Sequence, residues 1–134
     1  MLWRAVPALA VSLLFAGGPA LAQDIAFPEE ALVALMRVTM AQSADAQCDG
    51  ISARNLRVQA AMLDMLTTVR DLGSDPVAAV EYLKTEEGAA RVAEREAALR
   101  AKHGAEPEGV DGLCATIRAE AKQDRDLARL VRIR

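Results

Sequence analysis

The chain holds two cysteines, Cys48 and Cys114, and one histidine, His103. A reactive thiol needs a nearby histidine, a C-x-x-C spacing or a strongly electropositive pocket to favour the thiolate. Cys48 has neither a neighbouring histidine nor that spacing; it opens the stretch CDGISARNLR, in which Asp49-Gly50 marks a tight turn. A single histidine cannot build a multi-histidine metal site, and the position of His103 beside Gly104 suits a cation at a helix C-terminus. Glu86-Glu87 and Glu94-x-Glu96 bring carboxylates together as acid–base catalysis requires. They stand among Arg91, Arg95 and Arg100, where Glu87 to Arg91 and Glu96 to Arg100 are i,i+4 ion pairs of a solvated helix face. No G-x-S-x-G, phosphate-cradling glycine loop, H-E-x-x-H or C-x-x-C-H occurs. The expectation is a protein that is not an enzyme and carries no metal or cofactor.

Arg54 and Arg57 are the sharper binding candidates. They lie three apart on one side of a helix that Ser52 is placed to cap, and the exposed amides there could join Arg54 in holding a carboxylate or phosphate. The plainer reading, adopted here, pairs Arg54 with an acid of a neighbouring segment, Asp45 or Asp49. The stretch RDLARLVRIR offers a second choice. Leu127, Leu130 and Val131 oppose Arg125, Arg129 and Arg132, as on a helix lying on an anionic membrane. Cations in a last helical turn are equally what the helix dipole favours, and that reading is preferred.

The start of the chain decides where such a protein works. Arg4, the apolar run Ala5 to Ala16 broken by Pro7 and Ser12, Gly17-Gly18-Pro19 and Ala20-Leu21-Ala22 together form a signal peptide, with cleavage expected after Ala22. The run falls short of the roughly 20 residues a spanning helix needs. Residues 23–134 then form one exported domain, periplasmic rather than secreted since nothing resembles a second export signal. Gln23 at the new N-terminus, not cysteine, excludes lipid attachment there. In an oxidising compartment Cys48 and Cys114 are expected to pair. Loss of Arg4 takes the formal charge from −3 to −4, and Phe27 and Tyr82 are the aromatics that stay. With neither a basic footprint nor stacking platforms, the domain is not expected to bind nucleic acid.

The elements that must position these residues all read as helices. Phe27-Pro28-Glu29-Glu30 is a helix entry, and Leu32, Leu35, Met36 and Met40 make a stripe up to about Ala46. Val58, Met62, Met65, Val69 and Leu72 make another, closed by Gly73. Ser74-Asp75-Pro76 starts a short helix with Val77, Val80 and Leu83 inward, and Thr85 caps a segment from Glu86 to His103. Residues 105 to 112 read as loop, and a last helix is expected from about Asp111 to Leu130. No strand pattern competes. The fold class is therefore all-α: a small bundle of about four to five helices stapled by one disulfide.

Cys48-Asp49-Gly50-Ile51-Ser52-Ala53-Arg54, with Leu113-Cys114 and Ile117 downstream, resembles a family of small exported alphaproteobacterial proteins with a domain of unknown function, over about residues 28 to 131. The resemblance implies an exported helical protein with paired cysteines and no known activity. The functional expectation is a protein-interaction module of the cell envelope with a protein partner. One alternative is a carrier of a small apolar ligand or lipid, in a pocket lined by Met36, Met40, Met62 and Met65. Another is an envelope stress chaperone.

Overall fold

The structure, a computed structural model, describes residues 27–134. The expected signal peptide and Gln23 lie outside them. In chain order the elements are α1 (Glu29–Gln47), β1 (Ile51–Ala53), α2 (Asn55–Asp71), α3 (Pro76–Leu83), α4 (Glu86–Lys102), α5 (Val110–Glu120), α6 (Arg125–Leu130) and β2 (Val131–Ile133). No described helix is long and apolar enough to cross a membrane.

The hub is α1. Pro28 precedes it and offers its carbonyl to the amides of Ala31 and Leu32, while Glu29 and Glu30 occupy the first turn, where the helix dipole favours negative charge. Its buried residues, Ala31, Leu32, Met36, Val38, Met40, Ala41 and Ala44, cover more than one stripe. A helix apolar on several sides has to be surrounded, and α1 touches α2, α4, α5, α6 and β1. The core has two lobes along it. One gathers Met40, Ala44, Cys48, Ile51, Val58, Leu113, Ile117, Leu130 and Val131; the other gathers Phe27, Leu32, Met65, Val69 and Ala79.

The start signals of α3 and α4 act as their sequences indicate. Asp75 Oδ1 accepts from the amide of Val77 at 3.0 Å ahead of Pro76, and Thr85 Oγ1 accepts from the amide of Gly88 at 3.1 Å. Gly88 also lies tight against the end of α3: a Cβ there would lie 2.2 Å from the carbonyl oxygen of Tyr82. The expected Cys48–Cys114 disulfide is formed, with Cα atoms 5.7 Å apart, and joins the C-terminal end of α1 to α5.

Four expectations need correction. Residues 51–53 and 131–133 form a two-stranded antiparallel ribbon, pairing Ile51 with Ile133, Ser52 with Arg132 and Ala53 with Val131. Three-residue strands are too short to leave an alternating signature, and their partners lie far apart in sequence. The last helix is broken into α5 and α6, because Asp124 Oδ1 accepts from the amides of Asp126 (3.0 Å) and Leu127 (3.4 Å) and starts a new helix. Leu72 lies beyond the end of α2 and is 61% exposed, so the apolar stripe of that helix stops at Val69. Val77, expected inward on α3, is 70% exposed.

Candidate functional site

An open groove of about 520 Å³ runs between α1, α2 and α6. On α1, Glu30, Ala31, Ala34 and Arg37 share one face at helical spacing; α2 contributes Arg57, Ala60, Ala61, Asp64, Met65 and Thr68; α6 contributes Asp126, Arg129 and Leu130. The four alanines are the reason a groove exists. Side chains that stop at Cβ leave the space between facing helices unfilled, whereas leucine there would close it. The wall at α6 is held by Arg37, whose Nε donates to Asp124 Oδ2 at 2.7 Å and whose Nη1 lies 3.9 Å from Asp126 Oδ2. Asp124 therefore works with both oxygens, one starting α6 and the other fastening it to α1. Glu30, Arg57, Asp64 and Arg129 make no ion pair among the described residues. Four charges of both signs thus border an alanine floor.

Of the three residues read as binding candidates, the groove takes only Arg57. Ser52 does not cap α2: it lies in β1 opposite Arg132, and the residue at the start of the helix is Arg54, without a side-chain cap. The reason is the ribbon, which keeps the chain extended to Ala53. Arg54 does not pair with Asp45 or Asp49. Its Nε donates to the carbonyl of Val131 at 3.2 Å and its amide to that of Leu130 at 2.8 Å, while Asp45 Oδ1 accepts from the amide of Ala53 at 2.9 Å. Arg54 and Arg57 consequently serve different places, one the ribbon and the other the groove.

The remaining candidates also find partners. His103 ends α4 as expected, but its Nε2 is in contact with Glu120 of α5, which also takes Lys102 Nζ at 3.2 Å. Glu96 and Arg100 form their ion pair at 3.1 Å, yet Arg100 is buried rather than solvated. Its Nη1 donates to the carbonyls of Glu106 and Gly109 at 3.2 and 2.9 Å, fixing the loop ahead of α5. Glu87 and Arg91 make no ion pair; Arg91 Nη1 lies 3.5 Å from the Tyr82 hydroxyl, and Arg95 crosses to Glu29 at 2.6 Å. Met36, Met40 and Met65 are buried and Met62 is half-buried, spread through both core lobes, and only Met65 reaches the groove. The four methionines do not line one pocket. Leu127, Leu130 and Val131 are buried too, so the apolar side of RDLARLVRIR already faces the core and is not free to lie on a membrane. Among the described residues no group of three His, Cys, Asp or Glu side chains is placed to hold a metal ion.

The model of a family of unknown function, DUF5333, matches residues 24–132. The chain belongs to the DUF5333 family. The match spans every element from α1 through α6, both cysteines and the whole groove. No curated protein and no solved structure matches the chain. The DUF5333 description assigns no activity, so the groove has to be read from its own chemistry.

Proposed function

We propose that this DUF5333 chain is an exported, non-enzymatic binding protein of the cell envelope, and that its groove between α1, α2 and α6 receives a protein partner. The observation that carries this reading is the border of the groove: Glu30, Arg57, Asp64 and Arg129, without ion-pair partners among the described residues, around a floor of small side chains. A site for a lipid or small apolar ligand is enclosed, whereas this groove is open. Unpaired charges of both signs at the edge of an open groove suit another protein's surface, where complementary charges select the partner and its register.

Photocrosslinking in cells tests this. A crosslinking residue at Ala60, on the groove floor, should capture one discrete protein, whereas the same residue at Ala98, exposed on α4, should not. Arg57→Glu should reduce that capture by about tenfold, the size expected when an interface charge is reversed. A lipid that co-purifies with the protein, with no crosslinked protein at Ala60, would replace this reading with that of a carrier.

Export is supported by the disulfide, which persists in oxidising compartments. The protein recovered from cells should begin at Gln23 and be released with the soluble extracytoplasmic fraction. An intact mass that retains Met1 would refute the export half of the proposal and leave the groove untouched.

A further inference from the structure

The β ribbon has one edge whose amides its own chain satisfies and one where an amide is left over. On the β1 side, the amide of Ile51 donates to the carbonyl of Cys48 at 3.4 Å and that of Ala53 to Asp45 Oδ1 at 2.9 Å. The other edge follows from the register. Arg54 N–H donates to Leu130 O and Arg134 N–H to Gly50 O, on either side of the Ser52 and Arg132 pair. In an antiparallel ladder such residues alternate with ones whose main-chain groups point away. Leu130, Arg132 and Arg134 therefore face β1, and Val131 and Ile133 turn their amides and carbonyls outward. Arg54 covers the carbonyl of Val131. The main-chain groups of Ile133 have no hydrogen-bond partner outside the ribbon among the described residues.

Beside this edge lies a shallow basin of about 480 Å³, lined by Arg118, Ala121, Lys122, Ala128, Val131 and Ile133. No carboxylate lines it. Arg118 is held in place by donating from Nη2 to the carbonyl of Asp49 at 2.7 Å, and Arg132 and Arg134 are exposed on the ribbon. Ile133 is 39% exposed, an apolar side chain at the rim of a basic surface.

We propose that the outer edge of β2 is a docking site for an acidic peptide in extended conformation, which adds a third strand to the ribbon. Ile133 offers both a donor and an acceptor to such a strand, and alternate acidic side chains of the peptide meet Arg118 and Lys122. Charge selects this occupant over a second copy of the chain. Pairing β2 with β2 of another molecule would gather Arg118, Lys122, Arg132 and Arg134 from both, and like charges across an interface are strongly unfavourable. The site is separate from the groove and does not depend on the reading of it.

The probes are short synthetic peptides alternating aspartate with valine, the same peptide with lysine for aspartate, and the aspartate peptide with proline for valine. Titration into the full domain, followed by NMR of its amides, should show the aspartate peptide binding at least about tenfold more tightly than the lysine peptide, with the largest shifts at Val131 and Ile133. The proline peptide keeps the charge but lacks the strand donors, and should not bind measurably. Ile133→Pro removes an outward donor without touching the ladder bonds of Arg132 and Arg134, and should weaken the aspartate peptide by about tenfold or more while Ile133→Val retains it. Reversal of both Arg118 and Lys122 to glutamate should do the same. Equal binding of the proline peptide, shifts centred on Ala34 and Ala60 in place of β2, or self-association of the free protein through β2 would each overturn the proposal.

Discussion

Replacement of Cys48 by serine is expected to lower the free energy of unfolding by about 2–5 kcal/mol, with Cys114→Ser costing a similar amount and the double replacement little more than either. The cysteines are 66 positions apart, and on the chain-entropy account closing a loop of that length disfavours the unfolded state by about 4 kcal/mol. For a domain of this size the unfolding midpoint should fall by roughly 10–20 °C. The loss should stop short of unfolding at room temperature. The ladder joining Ile51–Ala53 to Val131–Ile133 holds the same two parts of the chain together without a covalent bond. Urea titrations of the three variants decide the matter. Independent, additive losses from the two single replacements would mean that the cysteines contribute through separate packing and not as one bond.

The second largest effect is expected at Asp124. Asp124→Ala removes the cap of α6, worth about 1 kcal/mol, and also the charged hydrogen bond to Arg37, worth about 1.5–3 kcal/mol. A total of about 2–4 kcal/mol follows. Asp124→Asn keeps an oxygen for the amides of Asp126 and Leu127 but puts an NH2 donor where Oδ2 accepts from Arg37, so it should spare only the cap and cost about 1.5–3 kcal/mol. A double-mutant cycle with Arg37→Ala should return a coupling of about 1–3 kcal/mol. Coupling near zero would show that α6 is held by Leu127 and Leu130 in the core rather than by the ion pair.

These two residues also mark how far the sequence could be read. Local signals were legible because their physics is local: Asp75 ahead of Pro76, Thr85 ahead of Glu86, and the stripe from Val58 to Val69 each need only a few neighbouring residues. The disulfide was legible from counting, since two cysteines allow one intramolecular bond. Asp124 carries a cap signal of the same kind, but it sits inside a stretch whose leucines and isoleucine keep a helical rhythm from Leu113 to Leu130, and the rhythm hid the break. The ribbon was invisible for a different reason. Ile51-Ser52-Ala53 has no strand character until Val131-Arg132-Ile133 lies beside it. Arg57 stood out as a candidate on spacing alone, yet its partners in the groove, Ala34, Asp64 and Arg129, come from three helices, and alanines read as helix formers rather than as a floor.

The ribbon and the disulfide together set the order in which this molecule can assemble. When Cys48 and β1 emerge, their partners Cys114 and β2 are some sixty to eighty residues behind. Such distant pairings close slowly, because loop entropy has to be overcome before the contacts form. In that interval Cys48 is a lone thiol at the end of a helix hub that has not yet been surrounded. With only Cys114 as a possible mate within the chain, oxidation cannot scramble inside one molecule; the one wrong bond open to it is to a thiol on another.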